Sequence, residues 1–273
     1  MKARGFIKIW GMFALYIVLF ILVTFGNLRI GDNAIQTMWN MLSLCVIILS
    51  VVMLVKYRLP TRKQIIISAI FGMLMFVPFV SMAGVIAFLA VRIPLVTFLS
   101  ALAFFSISNH YSENAIILLK NKSAKSIAVT ILIGLVVGIV WGTINIFLNN
   151  DQPEPHFALI NFLVPLNPGI YEEMAFRAFI FTACLHFMRG ELTTKLQRFT
   201  AWFMMVIPHV LPHTPYMFIE QGFISGIMAT VILTFVFGIP FAILQRKRDL
   251  TSAMIAHGVV MIIFFSMFSI EVS

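Results

Sequence analysis

Long apolar runs, most of them of membrane-crossing length, follow one another along this chain with only short charged stretches between them. A hydrocarbon core about 30 Å thick takes about 20 apolar residues in helical form. Backbone in lipid must satisfy its own hydrogen bonds, so only helices or closed barrels can cross. The runs are continuous rather than alternating, which excludes a barrel. Composition agrees: 61% of residues are hydrophobic and 11% charged, whereas a soluble domain carries about 25% charged residues. So few charges cannot dress a water-facing surface. The expected fold class is all-α, a polytopic membrane helix bundle of eight or nine transmembrane helices. Helices are expected near 6–25, 37–55, 65–82, 86–105, 126–148, 169–188, 199–213, 221–244 and 251–270. The apolar-rich stretch 65–107, broken by Pro78, Gly84, Arg92 and Pro94, is read as two spans, because the basic clusters on its flanks require an even number of crossings.

The net charge is +9, but its distribution matters more than its size. Lys2, Arg4 and Lys8 open the chain; Lys56, Arg58, Arg62 and Lys63 follow, then Lys120, Lys122 and Lys125, then Arg189, Lys195 and Arg198, and last Arg246, Lys247 and Arg248. These clusters fall where cytoplasmic loops should lie under the positive-inside rule. They imply orientation and contact with membrane lipids, not nucleic-acid binding. The N-terminus is expected inside. The loop from Asn149 to His156, with Asp151 and Glu154 and no basic residue, fits the outer face. The apolar stretch from Ile9 to Phe25 is longer than a leader's core and has no small-x-small cleavage site, so it is read as a retained first helix. Cys45 and Cys184 lie in apolar runs as small hydrophobes, not as a disulfide or metal pair.

The chain divides by polarity into two parts of one membrane domain. Residues 1–149 are expected to form transmembrane scaffold helices, and residues 150–273 to carry the chemistry. Glu172 and Glu173 lie together inside a segment otherwise fit to span the membrane. A charge at the bilayer centre costs about 2.5–3.5 kcal/mol on insertion scales, so two adjacent carboxylates there point to function. On an α-helix, Glu173 and Arg177 stand at i and i+4 and can pair, while Glu172 points elsewhere. Pro165 and Pro168 come just before, a break that suits irregular backbone beside a cavity. His209 and His213 share a helix face with Pro208 and Pro212 between them, and His257 lies in the last apolar run. A buried Glu/His cluster of this kind serves water activation, metal binding or proton transfer.

The same residues resemble a known family. Glu172-Glu173-Met174-Ala175-Phe176-Arg177 matches the EExxxR motif of the CPBP family, also called the CaaX protease and bacteriocin-processing or Abi family. Met205-Val206-Ile207-Pro208-His209 fills the place of its FxxxH motif, with Met for Phe. His257 followed by Met261 fills the third, with Met where Asn or a similar polar group is usual. The resemblance covers roughly residues 160–265 and implies an intramembrane endopeptidase acting on a peptide or membrane-anchored protein segment. In it, Glu172 would be the general base for water, His209 would orient that water or stabilise the oxyanion, and His257 would complete the site. Glu173 and Arg177 would support the helix, with His213 nearby. The family is often called a metalloprotease: a zinc ion would be held by Glu172, His209 and His257, and a metal-free water activated by glutamate is the equal alternative. The short loops resemble the bacterial branch, which implies a bacterial cytoplasmic membrane and peptide processing, bacteriocin immunity or regulation.

Two further readings belong to other classes. Met261 motivates a catalytically silent relative that acts as an immunity or signalling scaffold through membrane protein partners. A proton or solute transporter would show inverted repeats or paired broken helices, and no internal symmetry is visible. At the expected bounds, Glu172 and His209 lie toward the outer ends of their helices and His257 toward the inner end. Convergence therefore asks for a longer segment after Phe157 or a lower His257.

Overall fold

The computed structural model describes residues 2–26, 28, 33–80, 87–149 and 152–268. Gly84 and Asp151, and the end of the last expected helix at Ile270, lie outside them. Among the described residues the secondary structure is helical throughout, without a strand. The elements are α1 (Lys2–Thr24), α2 (Ala34–Lys56), α3 (Arg62–Leu74), α4 (Val77–Val80), α5 (Ala87–His110), α6 (Ala124–Leu148) and α7 (Ile160–Leu163). A π-helix follows over Asn167–Ala178, then α8 (Phe179–Phe187), α9 (Lys195–Val210), a 3₁₀ turn (Leu211–His213), α10 (Pro215–Glu220) and α11 (Phe223–Leu233). A second π segment (Thr234–Gly238) leads into α12 (Ile239–Lys247), and α13 (Leu250–Met267) ends the series.

Among the described residues, six helices are long and apolar enough to cross a membrane: Arg4–Thr24, Ala34–Lys56, Ala90–His110, Ala124–Leu148, Phe223–Lys247 and Leu250–Met267. The other three expected spans are built from shorter pieces. The stretch 65–82 breaks after Leu74, because Pro78 has no N–H and its ring crowds the carbonyl four residues back. The stretch 199–213 ends its α-helix at Val210 and tightens into the 3₁₀ turn that holds Pro212. The expected helix 169–188 begins in the π register and becomes α-helical at Phe179. Helix starts are set at the loops by side-chain caps. Thr61 and Thr194 form capping boxes with Gln64 and Gln197, and Ser123 and Asp249 cap α6 and α13. Each cap satisfies amide groups that lipid could not.

The chain forms two compact units, interleaved along the sequence. Unit one comprises Met1–Pro60, Ala103–Ala115 and Phe176–Ala242. Unit two comprises Thr61–Leu102, Ile116–Ala175 and Ile243–Ser273.

In unit one, α1 packs on α2, α8, α9 and α10. Trp10 and Phe13 meet Phe203, and Phe20 and Phe25 meet Phe218, all at ring-centre separations of 5.1–6.0 Å. Gly5 is required where it stands: a Cβ there would lie 2.1 Å from the Phe187 carbonyl oxygen.

In unit two, α6 lies against α13. Gly134, Gly138 and Gly142 recur every fourth residue on α6, and side chains added there would collide with Ile255, Val259 and Ile263 at 2.6–2.8 Å. Small residues at helical spacing let two backbones approach closely where lipid offers no hydrophobic drive. A polar network closes one end of the pair. Thr130 donates to Asp249 Oδ2 (2.7 Å), Ser252 N–H donates to Asp249 Oδ1 (2.9 Å), and Arg248 Nη2 donates to the Ser126 carbonyl (2.6 Å). At the other end, the backbone N–H groups of Glu154 and His156 donate to the carbonyls of Met267 and Ser266, both at 2.8 Å.

Candidate active site

The two acidic residues of the motif sit on the π-helix. Pro168 can offer no N–H at its start, and Gly169 N–H instead reaches the Pro165 carbonyl (3.0 Å). Gly169 is also pressed on α13: a Cβ there would come within 3.0 Å of the Met254 carbonyl oxygen. Bonds of the i→i+5 kind widen each turn, and such segments recur at functional sites. The wider turn keeps residues four apart on one side of the helix, so Glu173 and Arg177 stay on a common face.

Within unit two, Glu173 is fully buried, at 0% exposure. Its Oε2 accepts a hydrogen bond from Gln245 Nε2 (2.6 Å), which also reaches the Glu173 carbonyl (3.2 Å). Its Oε1 lies 2.7 Å from His257 Nδ1. An ionised carboxylate only accepts, so His257 Nδ1–H donates to it, which leaves Nε2 with its lone pair. A carboxylate behind an imidazole fixes both tautomer and ring orientation. The contact also puts Glu173 and His257 at one level. The helical path that begins at Ile160 in α7 and resumes at Asn167 supplies the longer segment that this meeting asked for. Gln245 carried no signal in the sequence, because it stands in an apolar run beside a basic cluster that marks a loop.

Along the motif helix the exposure pattern singles out one side chain. From Tyr171 to Phe179 every residue is buried except Glu172, which is partly exposed. Met261, one turn beyond His257 on α13, is also partly exposed.

Within unit one, His209 is buried (3% exposed) in the last turn of α9, and His213 is exposed on the 3₁₀ turn. Their ring centres are 5.5 Å apart and nearly perpendicular. Trp39 of α2 contacts both imidazoles, at 5.8 Å from His209 and 5.0 Å from His213. Phe176 stacks on His209 at 6.2 Å and meets Trp39 at 5.3 Å. Trp39 was invisible in the sequence, lying 170 residues from the imidazoles it braces. The prolines between the histidines explain the local fold. Pro212 has no N–H to offer the Pro208 carbonyl, and the Tyr16 hydroxyl of α1 donates to that oxygen instead (3.0 Å). Arg177 is buried (1% exposed), with its guanidinium 5.3 Å from the centre of the Phe241 ring, a cation–π distance.

The His209–His213 spacing fits a metal. Two imidazoles bound tetrahedrally to one zinc at about 2.0–2.1 Å have ring centres about 5 Å apart.

Comparison with known proteins supplies the remaining evidence. Residues 154–263 match the family model described as type II CAAX prenyl endopeptidase Rce1-like. The matched region contains all three motifs. No curated protein and no solved structure matches the chain. The chain is an integral membrane protein whose residues 154–263 are similar to the Rce1-like endopeptidases, a match consistent with the CPBP/CaaX protease family.

Proposed function

We propose that this chain is an intramembrane endopeptidase that hydrolyses a peptide bond in a membrane-associated protein or peptide, with Glu172 as general base. The supporting observation is the partition of the two carboxylates. Glu173 is buried and committed to Gln245 and His257, while Glu172 alone in residues 171–179 reaches solvent. In this reading a water gives its proton to Glu172 as its oxygen attacks the scissile carbonyl carbon. His209 stabilises the oxyanion that forms. The tetrahedral intermediate collapses with cleavage of the C–N bond, and Glu172 returns the proton to the leaving amine. Glu173 holds His257 in one tautomer, so that Nε2 can orient water or substrate. When bound, a zinc ion held by Glu172, His209 and His213 or His257 would supply Lewis-acid polarisation of the carbonyl or water. The N-terminus is placed on the cytoplasmic side of a bacterial cytoplasmic membrane, in keeping with the basic clusters.

Glu172→Gln tests the assignment. Cleavage of a peptide substrate should fall by about 10²–10⁴-fold, with the thermal midpoint in detergent unchanged. Retained turnover would remove Glu172 from the mechanism. Metal content by mass spectrometry tests zinc separately: about one ion per chain, lost in His209→Ala/His213→Ala, supports it, and none in either protein refutes it. Met261 favours a second reading, a silent relative acting through membrane protein partners. Met261→Asn then restores activity to an inactive parent, whereas a cleaving parent gains little or nothing.

A further inference from the structure

Unit one contains an apolar groove that the proposed chemistry does not use. It runs between α1, α2, α8 and α9 with a volume of about 460 Å³ and almost no polar lining. Ile9, Val52 and Phe187 line one end, and Leu19, Leu42 and Pro208 the other. Its flank is open, with Leu15 and Ile48 exposed. From Ile9 to Leu19 is ten residues of helix, about 15 Å at about 1.5 Å per residue. That is half of a hydrocarbon core of about 30 Å, the depth of one leaflet.

The Ile9 end is cationic. Lys8 precedes Ile9, Lys56 stands one turn beyond Val52, and His186 precedes Phe187; both lysines are exposed. Lys56 Nζ lies 3.5 Å from His186 Nε2, and Lys8 is near enough to act electrostatically on the same imidazole. The opposite ring nitrogen, Nδ1, is engaged by the Tyr57 hydroxyl, which also reaches Tyr111 (3.3 Å). The imidazole is thus held between Lys56 and Tyr57, and with Lys8 at the start of the α1 lining two positive charges stand at one mouth of the groove. Basic clusters at a membrane surface attract anionic lipid in general; here the charge stands at the mouth of a slot one acyl chain deep.

We propose that this groove binds an anionic phospholipid, with one acyl chain along α1 and the phosphate between Lys8 and Lys56. The site is independent of the peptidase reading. Native mass spectrometry of the full chain in detergent tests it, with phosphatidylglycerol or phosphatidylcholine of identical chains added, and inorganic phosphate as competitor. The wild type should retain phosphatidylglycerol preferentially, and phosphate should not displace it. Lys8→Ala/Lys56→Ala should lose the preference, by about fivefold per lysine, yet still bind both lipids weakly. Cys45→Trp, which fills the middle of the groove, should lose both, with an unchanged elution profile and thermal midpoint showing that it folds. Equal retention of the two lipids, displacement by phosphate, or a preference that survives the lysine changes would overturn the proposal. So would a groove that ignores phosphatidylglycerol and takes an isoprenoid-modified peptide.

Discussion

The two units hold their histidines by different means. In unit two, His257 is set by polar bonds: a buried carboxylate on Nδ1, itself held by an amide from Gln245. In unit one, the ring of Trp39 meets both His209 and His213, Phe176 stacks on His209, and a tyrosine hydroxyl props the helix between the histidines. The first arrangement dictates which nitrogen carries the proton. The second dictates where a ring lies and tolerates either tautomer.

The sharpest way to break this contrast is to remove the carboxylate. Glu173→Ala strands a buried polar cluster and should cost about 3–5 kcal/mol, read as a lowered thermal midpoint in detergent. In a double-mutant cycle with His257→Ala the losses should be strongly non-additive, because both variants delete one interaction. Additive losses would show that Glu173 acts through other partners. Gly138→Leu attacks the same histidine through packing. Its new side chain collides with Val259 and the Ala256 carbonyl, which flank His257. Overpacking of this kind costs about 1–3 kcal/mol, and peptide cleavage should fall with it. The smallest effect is expected from Tyr16→Phe. Losing one hydrogen bond to the Pro208 carbonyl should cost about 1 kcal/mol, with little change in cleavage, because the aromatic box remains.

Much of this fold was legible because lipid reduces it to a one-dimensional problem: an apolar run must be a helix, and a basic cluster must be a loop. The expected helix 126–148 lies within α6, and 37–55 within α2. Legibility failed where proline rewrites hydrogen bonding, as at Pro78 and Pro212, since hydrophobicity does not report a missing N–H. The π register over Asn167–Ala178 was equally hidden, because residue preferences do not separate i→i+4 from i→i+5 bonding. For the site, the motifs named Glu172, Glu173, His209 and His257. The bond from Glu173 to His257, the amide of Gln245 and the ring of Trp39 depend on tertiary packing. A carboxylate followed by an arginine at i+4 suggests a local pair, and nothing in the sequence pattern points to the partner of Glu173 that lies 84 residues away.

The π-helix makes the aim of Glu172 a matter of counting. An α-helix advances each residue by about 100°, and a π segment holds one residue more than its bonding pattern would otherwise need. Deleting one residue between Asn167 and Glu172 would let the segment relax toward α-helix and swing the motif around its axis by about that angle relative to the residues before it. The chain would keep its hydropathy and every motif letter, and lose the direction in which the motif's partly exposed carboxylate points.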